Sequence, residues 1–221
     1  MMFLSYDNME IIGQSVLLDY ARGTRGSISI PVDINAFAQD YLGLNVLYRK
    51  LSDNGRILGL TTYKVAVLAL PVAEGNVLCS IPEDTILLDE ELLHDKNRRR
   101  RRFTLAHECA HHILARIEKG ENFNSDASFG QAFSCRKLKT TDDWREWQAN
   151  SLAAILLVPK RELAELIIQW LAPIALSIYK ISINSFVQYS VKWLADMFDV
   201  SLKAMTIRLK GLGFSATPAG A

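Results

Sequence analysis

The chain has 221 residues, of which 49% are hydrophobic, and its 25 basic and 24 acidic residues leave a formal net charge of +1 at pH 7. That length suits one large or two small domains with room for a core, and the even balance excludes a global basic field that would attract nucleic acid. Three cysteines, Cys79, Cys109 and Cys135, are too few to form a disulfide framework, so a reducing cytoplasm is the expected compartment. The first residues lack a basic stretch and a long apolar run, so no signal peptide is expected.

In chain order, Ile11 to Tyr20 reads as a short helix. Val32 to Leu42 reads as a second, with Pro31 just before it and Asp33 as its N-cap. Strand-like segments follow at Asn45 to Leu51, Arg56 to Thr61, Tyr63 to Leu70, Val77 to Ile81 and Thr85 to Asp89. Asp53-Asn54-Gly55 and Glu74-Gly75-Asn76 punctuate them as turns. Five arginines, Arg98 to Arg102, come next and read as a solvated face, with Arg102 set apart as a partner for an acid inside the domain. A docking patch for an acidic partner or for DNA is the alternative reading of that run. From there the chain is almost wholly helical, so a sheet followed by helices predicts an α+β arrangement.

The helix after the arginines carries His107-Glu108-Cys109-Ala110-His111, a His-Glu-x-x-His pattern. On an α-helix His107 and His111 leave the same face and can close on one metal ion. Glu108, one step round, can take a proton from a water beside that metal. Leu105, Ala106, Cys109, Ala110, Ile113 and Leu114 surround the histidines with small or apolar side chains, as a buried helix requires, and Thr104 is the expected N-cap. Cys109 is off the histidine face and is expected to pack.

Two histidines need a third ligand from another segment. Asp142, Asp143, Glu146 and Glu162 are in range. Thr140-Thr141-Asp142-Asp143 reads as a helix start, and Glu162, after Pro159-Lys160-Arg161, reads as solvated. Glu146 opens a segment with Ala149, Ala153 and Ala154, small enough to pack close against the metal helix, and is the chosen ligand. Asn150 shares its face and is expected to accept a hydrogen bond from the outer ring nitrogen of a liganding histidine. The set is a zinc site by chemistry, although two imidazoles and a carboxylate also accept iron or manganese.

Arg102 to Glu108, then Glu146-x-x-Ala149-Asn150-x-x-Ala153-Ala154-x-Leu156-Leu157-x-Pro159, then Leu194 to Ser201 and Ile207 to Gly213 together resemble the ImmA/IrrE family of metallopeptidases. The resemblance spans the stretch from the strand before the metal helix to Phe214. It implies zinc held by His107, His111 and Glu146, with Glu108 as catalytic base. It also implies a protein substrate of the helix-turn-helix repressor type, whose cleavage relieves repression. The expected fold is a zincin-like metallopeptidase domain, with a small twisted sheet packed on helices, over residues 1–160. A helical C-terminal region with a helix-turn-helix-like segment follows at 161–214, and a tail at 215–221.

Some segments stand outside the resemblance. Residues 160 to 189 are apolar and match no family motif, and the loop from Lys119 to Asp143 is long and polar. Leu166 to Ile181 contains Gln169, Pro173 and Lys180 and is too short to span a membrane, so a helix pair broken at Pro173 is expected. In the C-terminal pair Ser201 is the expected N-cap. Lys203, Arg208 and Lys210 offer few base-reading groups, so packing or substrate docking is expected there rather than DNA reading. Thr85 to Asp89 reads either as the sheet edge nearest the cleft, along which an extended substrate would add as a strand, or as plain core strand, and one buried face is compatible with an open edge. His112, Tyr179, Tyr189 and the arginines are open candidates for a second electrophile. The rival function is a non-enzymatic regulatory protein, binding a partner or DNA, with a structural or vestigial metal site.

Overall fold

The computed structural model describes residues 4–23, 26–120, 140–174, 187 and 190–214. Helix α1 spans Tyr6–Gly23, longer at both ends than the apolar pattern predicts. Its start is set by Ser5 and Asn8, which exchange hydrogen bonds from backbone N–H to side-chain oxygen. Asp33 caps the short helix α2, Ile34–Ala36, by accepting from the N–H groups of Asn35 and Ala36. A wide π turn, Phe37–Tyr41, continues it and buries Phe37 and Ala38.

Five strands follow: β1 Asn45–Arg49, β2 Gly59–Thr62, β3 Ala66–Val72, β4 Gly75–Ile81 and β5 Thr85–Asp89. They form two sheets, one ordered β1-β5-β2 and one a β3-β4 hairpin. In the first, β5 is parallel to β1 and antiparallel to β2. The central strand β5 is buried at every residue. Its alternation divides the interior: Ile86 and Leu88 join the main helical core, while Leu87 joins Leu51, Leu70 and Ile81 under the hairpin. Thr85 to Asp89 is therefore not an edge; the edge beside the helices is β2.

Helix α3 spans Arg98–Glu118 and α4 spans Thr141–Leu157. Thr140 and Asp143 form the capping box that the Thr-Thr-Asp-Asp signal predicts. Thr104, by contrast, is not a cap: α3 begins six residues earlier, and the Thr104 hydroxyl donates back to the Arg100 carbonyl inside the helix. Ala149 and Ala153 on α4 are buried against the core, as their size permits. Gly13 lets α1 lie equally close, because a Cβ there would collide with Cγ2 of Ile155.

Helix α5, Lys160–Leu166, runs into a π turn, Ile167–Leu171, and a last helical turn, Ala172–Ile174. The expected break at Pro173 is not seen among the described residues; the wide turn just before it accommodates a residue with no N–H to donate. The segment from 175 to 186 lies outside them. Helix α6, Val191–Met197, and helix α7, Leu202–Gly211, complete the fold, with Ser201 capping α7 as expected. One hydrophobic cluster runs from Leu4 in front of α1 to Leu209 in α7.

Buried charge locks these ends together. Arg208 is 1% exposed and grips both carboxylate oxygens of Glu10 on α1, donating also to Tyr6 and to the Val158 carbonyl. Burial alone would raise the Glu10 carboxyl, but the guanidinium holds it below its ordinary value. The arginine run is solvated in part, with Arg98 and Arg100 exposed, but three of its members converge on one buried acid. Asp199, buried and at φ +51, takes Arg98 at 2.7 Å and Arg99 and Arg102 at 3.3 Å, while Arg99 also reaches Asp196 at 2.6 Å. Arg102 thus meets an acid as expected, although Asp199 comes from the C-terminal region and not from residues 1–160. Arginines in a first turn oppose the helix dipole, and Asp199 offsets that penalty. Glu162 is also not solvated: it is buried, and burial raises its carboxyl.

Candidate metal centre

Two faces of one stretch of α3 build the site. His107 and His111 face Glu146 on α4; Glu108 and His112, again four residues apart, face the end of β2 and the residue after it. The Nε2 atoms of the two histidines lie 3.0 Å apart, and each is 3.3 Å from an oxygen of Glu146. A tetrahedral zinc with ligands at about 2.0–2.1 Å needs donors roughly 3.3 Å apart, so this set fits the ion. Among the described residues, these three are the one His, Cys, Asp and Glu group close enough to share a metal. Burial lowers the proton affinity of both histidines, which favours the neutral rings a metal requires.

Asn150, one turn beyond Glu146, favours the charged form of His107 through a side-chain hydrogen bond to its ring, the contact expected from the sequence for a liganding histidine. The glutamate side of the site is open, with the Glu146 side chain 57% exposed. A cavity of about 390 Å³ opens there, lined in part by Tyr63, His111, Arg145 and Glu146.

Glu108 is buried, which pushes its carboxyl up to about 7; the Thr61 hydroxyl, donating to Oε2 at 2.7 Å, opposes the rise. Such a group exchanges a proton readily near neutrality. The sequence reading missed Thr61 and Tyr63. Tyr63 follows β2, stacks on His112 at 6.3 Å and has a phenol pushed up to about 12 by burial and by Glu108, so it stays protonated. No local spacing connects either residue to the motif, although the strand-like run around them was visible. Of the electrophile candidates, His112 is buried, with Nδ1 3.9 Å from Asp84, and Tyr179 and Tyr189 lie outside the described residues.

The peptidase M78 family model, described as the IrrE N-terminal-like domain, matches residues 86–210. The chain belongs to this family. The match begins inside β5 and ends in α7, so it contains the histidines, Glu108 and Glu146 but not β2. No individual curated protein matches the sequence. Membership of peptidase M78 points to a metallopeptidase type of function, in keeping with a donor set that fits a metal. None of the helices among the described residues is long and apolar enough to cross a membrane.

Proposed function

We propose that this peptidase M78 member is a zinc-dependent endopeptidase of zincin-like fold, and that it cuts a transcriptional repressor of the helix-turn-helix type and so relieves repression. The observation that carries the reading is the spacing of the His107, His111 and Glu146 donor atoms beside a buried carboxylate. Glu108 would serve no purpose in a purely structural site, and the exposure of Glu146 lets solvent and substrate reach the donor set, as a catalytic site would require.

His107, His111 and Glu146 would hold the ion, which when bound supplies Lewis acidity toward water and the scissile carbonyl. Glu108 accepts the proton of the attacking water and delivers it to the departing amine. Tyr63, protonated at neutral pH and lining the same cavity, supplies a hydrogen bond to the carbonyl oxygen as charge builds there.

Substrate would add along β2. Asp89 donates to the Leu58 carbonyl, so in antiparallel register Leu58, Leu60 and Thr62 spend their backbone groups on β5. The N–H and C=O groups of Gly59 and Thr61 point to the open edge, where an extended peptide can pair with them. The repressor assignment rests on the family resemblance. On α7, Arg208 is consumed by Glu10, which leaves Lys203 and Lys210 as the exposed basic groups and favours protein docking over DNA reading.

The test is co-expression with a helix-turn-helix repressor encoded beside this chain, scored by mass spectrometry. Cleavage should disappear with a chelator and with Glu108→Gln. Cleavage that persists in that variant ends the reading.

A further inference from the structure

We propose that Thr61 is a positioning residue for the Glu108 base, and that Gly59 reserves the space for the oxygen that receives the proton. The inference rests on the zinc-peptidase reading above. Oγ1 of Thr61 lies 2.7 Å from Oε2 of Glu108 and 3.4 Å from the Glu108 backbone carbonyl. An ionised carboxylate only accepts, so the threonine hydroxyl must donate to it. That bond fixes the carboxylate plane and commits Oε2.

Oε1 then points at Gly59. A Cβ on that residue would stand 2.5 Å from Oε1 and 2.9 Å from Cγ of Glu108. Gly59 does not adopt a positive φ, so close packing, not the backbone conformation, calls for glycine here: the carboxylate is the nearest group, and Cγ2 of Thr104 would also stand 2.9 Å from a Cβ. Gly59 and Thr61 are two apart on one strand and therefore share a face, the one laid over α3. Together they leave the base a single orientation, with one oxygen held and the other free. Neither residue hydrogen-bonds a proposed ligand among the described residues. The strand thus sets the base without touching the metal set.

The experiment uses the full-length, zinc-loaded chain with dye-labelled casein as probe. Thr61→Val deletes the hydroxyl at nearly constant shape and should lower kcat by about 10- to 100-fold, leaving KM and zinc content unchanged, whereas Thr61→Ser should stay within about threefold of the parent. Gly59→Ala should act like Thr61→Val. A readout free of turnover comes from the metal-free protein: Thr61→Val should shift Tm when Glu108 is present and not in a Glu108→Ala background. Wild-type kcat in Thr61→Val, an equal loss in Thr61→Ser, or the same Tm shift in both backgrounds would overturn the positioning role. If Glu108→Gln is inactive while Thr61→Val is normal, only this inference falls. If wild type and Glu108→Gln leave the repressor of the co-expression test equally intact, the zinc-peptidase reading falls with it.

Discussion

Glu108→Gln separates the electrostatic cost of the base from its chemical use. The amide oxygen of glutamine still accepts from Thr61, so the hydrogen bond survives while the ionisable group goes. Burial moves the Glu108 carboxyl from 4.5 to about 7, so between those values the folded chain holds the proton more tightly than the unfolded chain does. Its contribution to stability is full below 4.5 and is lost as pH rises through about 7. The difference amounts to about 3 kcal/mol above pH 8, at about 1.4 kcal/mol per tenfold change in proton affinity. His107 and His111 carry the opposite sign, since burial lowers them: their contribution is full above 6.5 and fades as pH falls. They are present in both proteins, so subtracting the two stability curves largely removes them. Urea unfolding of metal-free protein should show the variant about 3 kcal/mol more stable than wild type at pH 8, with no advantage at pH 4. The zinc-loaded variant should meanwhile lose about 100- to 10,000-fold in cleavage rate and keep its metal. Unfolding curves whose difference is the same at both pH values would refute the buried-carboxylate argument.

Other perturbations probe the frame around the site. His107→Ala, His111→Ala and Glu146→Ala should each abolish the zinc-dependent rise in Tm, a stabilisation of about 2.7 kcal/mol when free zinc is a hundred times Kd in the parent. Arg208→Ala strands Glu10 inside the fold and should cost about 3–5 kcal/mol, read by denaturant unfolding at pH 7. Asp199→Asn keeps a residue that tolerates positive φ but removes the shared charge. Because the Arg98 side chain is 60% exposed, the expected loss is about 1–3 kcal/mol, measured the same way. Gly13→Ala should destabilise by about 1–3 kcal/mol through overpacking against Ile155, again by denaturant unfolding.

The clustering of His107 with His111 was legible because the spacing is local: two histidines about one turn apart on a helix share a face, which needs no tertiary knowledge. Glu146 was chosen to join them through the small residues that follow it. Thr61 was invisible because it lies 47 residues from Glu108 and meets it only once β2 lies over α3. The arginines read as solvated because Asp199 lies about a hundred residues downstream, and charge that is paired at a distance looks like charge facing water. For Thr85 to Asp89 the core-strand reading holds and the edge reading does not: Ile86-Leu87-Leu88 is an unbroken apolar run, the mark of a strand covered on both faces.

The bond between Glu10 and Arg208 bridges 198 positions of sequence. During synthesis on the ribosome, the N-terminal helix emerges long before its counter-ion is translated, and the metal helix likewise waits for Asp199. A nascent or prematurely terminated chain therefore holds uncompensated charge at both places.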